Sequence, residues 1–147
     1  MAIPGHEVWV LEIDGGARGN PGPAGAGAVL FDPAGVRVAG EAYPLGTMTN
    51  NAAEYEGLVR GLGLARTHGA ARLLVRSDSE LLVRQMEGAY KIKAPHLVAL
   101  AAKARVLAAG FSAVTFAAVP RERNVEADRL ANRAMDEVER GGDGKGH

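Results

Sequence analysis

Apolar and polar positions alternate through VWVLEID (Val8 to Asp14), with Trp9, Leu11 and Ile13 on one side and Val10, Glu12 and Asp14 on the other. A period of two is that of a strand with one face toward a core, so this is the first predicted strand. AGAGAVLF (24–31) and VRVAGEAY (36–43) read as two more, and Asp32 to Gly35 (DPAG) supplies the turn between them, which makes an antiparallel meander. The period changes after Asn51: in NAAEYEGLVRGLGLART (51–67), Ala52, Tyr55, Leu58, Val59, Leu62 and Ala65 recur at helical spacing, and His68-Gly69 ends the run. Beyond it, ARLLVRS (71–77) is a short buried strand, SELLVRQM (79–86) a short helix, and residues 95–109 a helix with Pro95 at its first turn. SAVTFAAV (112–119) reads as a strand and Asn124 to Arg140 as a last helix. The order βββαβααβα implies an α/β fold with a five-stranded mixed sheet: a meander of three strands, two parallel strands, and helices on the faces.

Composition narrows the class. The 147 residues fit one domain, taken as 1–140, followed by a flexible tail GGDGKGH at 141–147. No apolar run approaches the ~20 residues that span a bilayer, and Met1 to Glu7 lacks the pattern of a secretory signal, so neither membrane contact nor export is expected and a cytoplasmic location is the default. The absence of cysteine excludes disulfides and thiolate metal sites. Seventeen basic residues cancel seventeen acidic ones, which argues against broad polyanion binding and leaves any nucleic-acid contact local. Arg121, Arg123, Arg129 and Arg133 crowd near the C-terminus, where a solvated helix face accounts for them.

The stretch DGGARGNPGPAGAG (14–27) resembles a phosphate-binding loop in composition only. Its glycines, at 15, 16, 19, 22, 25 and 27, never give G-x-G-x-x-G, a strand rather than a helix follows, and no Walker sequence occurs in the chain. A hairpin connection is the better reading, with glycines that admit a nucleic-acid backbone.

Four carboxylates then stand out, each with a structural explanation of its own. Asp14 ends the first strand in an Asp-Gly turn dipeptide; Glu54 follows Asn51 by three, as in a capping box; Asp78 lies where it can cap a helix; Asp128 sits in the first turn of the last helix behind an Asn124 cap. Together they read differently. Asp14 and Asp78 end strands that can be parallel neighbours, where sites in such sheets gather, and packing the first and last long helices on one sheet face brings Glu54 and Asp128 to the same place. Four anions in one cleft repel unless cations lie between them. All-oxygen ligands suit Mg²⁺ or Mn²⁺, and two such ions ~4 Å apart form the usual clamp for displacement at a phosphodiester.

From about Trp9 to Met135 the chain resembles the type 1 ribonuclease H family, which cleaves RNA within RNA–DNA hybrids. IDGGARGNPGPAGAG is similar to the family's first catalytic aspartate (Asp14) and its loop asparagine (Asn20); TNNAAEYEGL to its T-N-x-x-x-E element (Thr49, Asn50, Asn51, Glu54); SDSELLVRQM and RNVEADRLANRAM to its third and fourth carboxylates (Asp78, Asp128). The resemblance implies a two-metal endoribonuclease leaving 3′-hydroxyl and 5′-phosphate ends. In it Asp14 bridges both ions, Glu54 and Asp78 complete the site near the leaving group, and Asp128 helps hold the ion that activates water. It also implies that Thr49 contacts a DNA phosphate, while Asn20, Asn50 and Asn51 lie in the minor groove, a mode that reads shape and 2′-hydroxyls.

Two departures accompany the resemblance. VPRERNVEAD lacks the mobile histidine many members carry before the last aspartate, with Arg121 or Glu122 as candidate substitutes, and His6, His68, His96 and His147 are expected on the surface. EGAYKIKAPH offers only Tyr90, Lys91 and Lys93 where some members have a basic, tryptophan-bearing protrusion, which leaves weaker binding or use of double-stranded RNA open. Glu12 is taken as a solvated strand residue. The alternative to an enzyme is a non-catalytic hybrid- or duplex-binding module of the same fold; in either reading the chain is expected to be a monomer.

Overall fold

The computed structural model describes residues 7–141, so His6, His147 and the tail beyond Gly141 lie outside the described residues. The elements follow the predicted order: β1 (Val8–Ala17), β2 (Gly22–Phe31), β3 (Arg37–Met48), α1 (Asn50–Thr67), β4 (Arg72–Ser77), α2 (Glu80–Met86), α3 (Pro95–Ala108), β5 (Ala113–Ala118) and α4 (Val125–Glu139). One element was not predicted, a 3₁₀ turn at Arg121–Arg123. The strands form one sheet in the order β3-β2-β1-β4-β5. The pairs β3/β2 and β2/β1 are antiparallel, whereas β1/β4 and β4/β5 are parallel.

The glycine-rich stretch departs from its reading as a loop. Both β1 and β2 run through it, paired from Val10↔Phe31 to Ala17↔Ala24, so the connection shrinks to Arg18–Pro21. Asp14 therefore sits inside β1 rather than at its end. It is β4 that stops: the last parallel pair is Ile13↔Ser77, and Asp14 continues along β2 opposite Gly27. Asp78, the next residue of the chain, thus leaves the sheet beside it.

Helices cover the sheet unequally. Leu11, Ile13, Leu30, Leu73 and Val75 pack beneath α1, α2 and α3, which contribute Tyr55, Leu58, Leu62, Leu82, Val83 and Leu97. A fully buried leucine in such a layer contributes about 1.5–3 kcal/mol. On the other face α4 lies over β2, where Val29, Ala127 and Leu130 form a separate small cluster. The expectation that the first and last long helices share a face is thus wrong: Gly27 carries no side chain because a Cβ would stand 2.3 Å from Ala127 O in α4, whereas the Ala26 side chain points toward Gly57 in α1. Alternation along β2 sends its neighbours to opposite layers.

The same alternation corrects the reading of Glu12. It is only 7% exposed, opposite Val29 on the α4 face, with Arg76 Nη2 at 3.4 Å from its carboxylate. Burial raises its pKa, partly offset by Arg76. His68 and His96 are exposed, as expected.

Candidate active site

The carboxylates meet where β4 ends beside β1. Asp14 comes from β1, Asp78 from the exit of β4, Glu54 from the first turns of α1, and Asp128 from the first turn of α4. Gly15 makes this convergence possible. A Cβ there would lie 2.3 Å from Ala53 O, so only glycine lets α1 come this close to β1. Gly15 N then donates to Glu54 Oε1 at 2.7 Å. This contact replaces the capping box: Thr49 caps α1, its Oγ1 accepting from Ala52 N at 3.2 Å. Nor does Asp78 cap α2, because Ser79 does, accepting from Leu82 N.

Asp14, Glu54 and Asp78 each present a carboxylate oxygen within 4.8 Å of the others. Asp128 stands outside that group but in the same cleft, of about 400 Å³, close enough for its charge to bear on Asp14. Asp14 and Glu54 are each 8% exposed. Burial above all, then the charges of Glu54, Asp78 and Asp128, pushes Asp14 up to about 9; burial and Asp78 push Glu54 up to about 7, against the Gly15 N–H that favours its charged form. With Asp14 and Glu54 both held above the usual carboxylate range, that pair resists full ionisation at neutral pH without added positive charge. Asp78 Oδ2 is buried and accepts no hydrogen bond, and Arg121 Nε, 3.6 Å away, is too distant to supply one. An oxygen-only, anion-rich, underpartnered pocket of this kind fits a hard divalent cation held by Asp14, Glu54 and Asp78, with Asp128 alongside.

The remaining predicted residues surround this group. Asn50 and Asn51 line the cleft; Asn50 Oδ1 accepts from Ala17 N at 2.9 Å, and Asn20 Oδ1 accepts from Asn50 N at 3.0 Å. The two asparagines thus join the β1–β2 turn to the start of α1. Thr49 is half-buried at that cap and does not line the cleft. Arg121 lines it with a side chain 79% exposed, whereas Glu122 is exposed in the 3₁₀ turn outside it. Of the glycines expected to admit a nucleic-acid backbone, 15, 25 and 27 instead admit helices of this chain; Gly16 faces the cleft.

Sequence reasoning missed three contributors. Arg18 forms ion pairs with Asp136 and Glu139 and reaches Asn132 Oδ1 at 3.2 Å, fastening the β1–β2 turn to α4. Met135, buried, floors the cleft beneath Gly16. Asn124 stands at the start of α4 but its side chain makes no capping bond; Nδ2 donates to Ile13 O at 2.8 Å instead. Partners 111 residues apart leave no local signal, and only the position of Asn124 four residues before Asp128 pointed to it.

Residues 12–134 match the family described as reverse transcriptase-like. Over 128 residues the chain is 49% identical to the bifunctional protein Rv2228c of Mycobacterium tuberculosis, covering 86% of this chain and 35% of that one. The chain thus spans about a third of that relative's length. The N-terminal RNase H domain of Rv2228c, solved as a fusion with maltose-binding protein, aligns with a TM-score of 0.88 at 46% identity, covering 91% of this chain and 97% of that one. RNase H1 of the archaeon Halobacterium salinarum aligns with a TM-score of 0.86 at 39% identity, over 88% of this chain and 98% of that one. LC11 RNase H1, solved in complex with an RNA/DNA hybrid, gives a TM-score of 0.84 at 41% identity, again over 88% and 98%. Agreement in order of motifs, sheet topology and nearly full-length alignment makes the chain a member of the type 1 ribonuclease H family.

Proposed function

We propose that the protein is an endonuclease that hydrolyses the RNA strand of RNA–DNA hybrids with two Mg²⁺ or Mn²⁺ ions, leaving 3′-hydroxyl and 5′-phosphate ends. The observation that carries this reading is the convergence of Asp14, Glu54 and Asp78 within 4.8 Å, with Asp128 in the same cleft. When bound, the ions polarise the scissile phosphate and lower the pKa of the attacking water. The chain's own residues would hold and orient them: Asp14, buried between Glu54 and Asp78, would be the central ligand, Glu54 is aimed by Gly15 N–H, and Asp128 is placed by the first turn of α4.

Substrate binding in this reading falls to Asn20, Thr49, Asn50 and Asn51 at the joint of α1 and the β1–β2 turn. LC11 RNase H1, crystallised with a hybrid, supports that substrate class. Arg121, beside Asp78 and free to swing, stands where a cation can meet a leaving phosphate; Glu122, outside the cleft, is the weaker candidate. In this reading the protein acts as a monomer, with the described residues forming one domain.

The test is cleavage of end-labelled hybrid, double-stranded RNA and single-stranded RNA with Mg²⁺, Mn²⁺ or EDTA. Internal, metal-dependent cuts in the RNA of the hybrid are expected. Asp78→Asn removes a ligand worth about 4 kcal/mol in the transition state, a loss of about 10³-fold, with the fold intact. Hybrid binding in EDTA with no cleavage under either metal overturns the reading in favour of a binding module.

A further inference from the structure

Asn124 is fully buried, one residue before α4, and its side chain breaks two habits of asparagine at that place. An N-cap asparagine ordinarily accepts a stabilising bond from the first-turn N–H groups. Here the amide turns away from the helix and donates to Ile13 O at 2.8 Å. A carbonyl can only accept, so the NH₂ must face Ile13 and the orientation of the amide is fixed by its partner. Oδ1 is left buried without a hydrogen-bond partner, which costs further stability. Meanwhile the main chain of Asn124 accepts from Asp128 N at 3.0 Å and donates to Arg121 O at 2.9 Å.

The bonding places Asn124 between two carboxylates. Ile13 immediately precedes Asp14 in β1, and the Asp128 amide belongs to the residue whose side chain lines the same cleft as Asp14. A single residue thus joins the backbone next to one ligand to the backbone of the other, although the two come from different elements. We propose that Asn124 is a positioning residue for divalent-cation binding: by tying the start of α4 to β1, it sets where Asp128 stands relative to Asp14 and so the affinity for a divalent ion that the carboxylates would hold. The inference rests on the two-metal reading above and names the residue that makes the fourth carboxylate part of the site.

The test uses the full chain as wild type, Asn124→Ala, Asn124→Ser and a control, Leu130→Val, which loosens α4 without touching the amide. Each is titrated with Mn²⁺ and with Mg²⁺ by calorimetry in the absence of nucleic acid, and the metal dependence of hybrid cleavage is measured in parallel. Two binding events are expected for wild type. The Asn124 variants should keep one and weaken the other by about 10-fold, as loss of an outer-shell partner does, with half-maximal cleavage moved to correspondingly higher metal and the KM for hybrid at saturating metal unchanged. Leu130→Val should lower Tm and leave both events in place. If Asn124→Ala does not fold, Asn124→Ser, which keeps a small polar group but cannot reach Ile13 O, carries the comparison. Wild-type metal binding in the Asn124 variants, or an equal shift in Leu130→Val, overturns the inference. Wild type that neither takes up a divalent ion nor cuts hybrid overturns the two-metal reading first and the inference with it, and is told apart by the wild-type arm alone.

Discussion

Asp14 shows how one residue carries both the chemistry and its cost. Held at 8% exposure among three other carboxylates, it is charged only against resistance, and in the proposed reading its position serves metal binding at the expense of the metal-free fold. Asp14→Asn should therefore abolish cleavage and raise the metal-free Tm by several degrees, equivalent to about 1–3 kcal/mol, measured by thermal denaturation in EDTA. Tyr55, one residue from Glu54, should behave in the opposite sense. Its hydroxyl donates to Gln85 Oε1 at 2.8 Å inside the core, and Tyr55→Phe leaves that acceptor buried and unpaired, lowering stability by about 1–3 kcal/mol with the carboxylates untouched. The four carboxylates were legible as residues because acidic groups at the ends of apolar runs stand out. Asn124 and Glu12 were not, because what gives each its role, Ile13 O for one and the cover of α4 for the other, is distant in sequence.

Among the elements, order and type could be read from periodicity, whereas the ends of β1 and β2 could not. Glycine and proline at 15–27 read locally as a turn, but the glycines answer to helices packed from far along the chain: Gly15 to α1, Gly25 and Gly27 to α4. The backbone there is strand, and only the missing side chains look like loop. Substitution separates the two layers. Gly27→Ala forces a Cβ against Ala127 O and should cost about 3 kcal/mol by displacing α4. Gly15→Ala should cost a similar amount through α1, and in addition raise the metal concentration needed for cleavage, because Gly15 N–H is what aims Glu54. Denaturant midpoints and metal titrations on the two variants check this.

For the whole molecule, a formal net charge of zero hides a strongly uneven interior. Asp14 and Glu54 titrate in the fold near 9 and 7, above their ordinary 3.8 and 4.5, so between about pH 4 and 9 the native state binds more protons than the unfolded chain. Stability without metal therefore falls as pH rises through that window, as far as these two groups govern it. Saturating Mg²⁺, which in the proposed reading binds only the assembled cluster, should flatten the slope; denaturation at pH 5 and pH 8 with and without the ion measures it.

Glu54 and Asp128 reach the site from helices on opposite faces of one sheet, and those faces are not equally secured. Beneath α1 lies the large core; beneath α4 lies a cluster of Val29, Ala127 and Leu130 among alanines and glycines. Regions with little buried apolar contact open first, so warming should lift α4 from the sheet before the rest melts. Cutting would then stop at a lower temperature than unfolding begins, with Asp128 gone from a molecule that still looks folded. A cross-link between α4 and β2 should close the gap between the two temperatures.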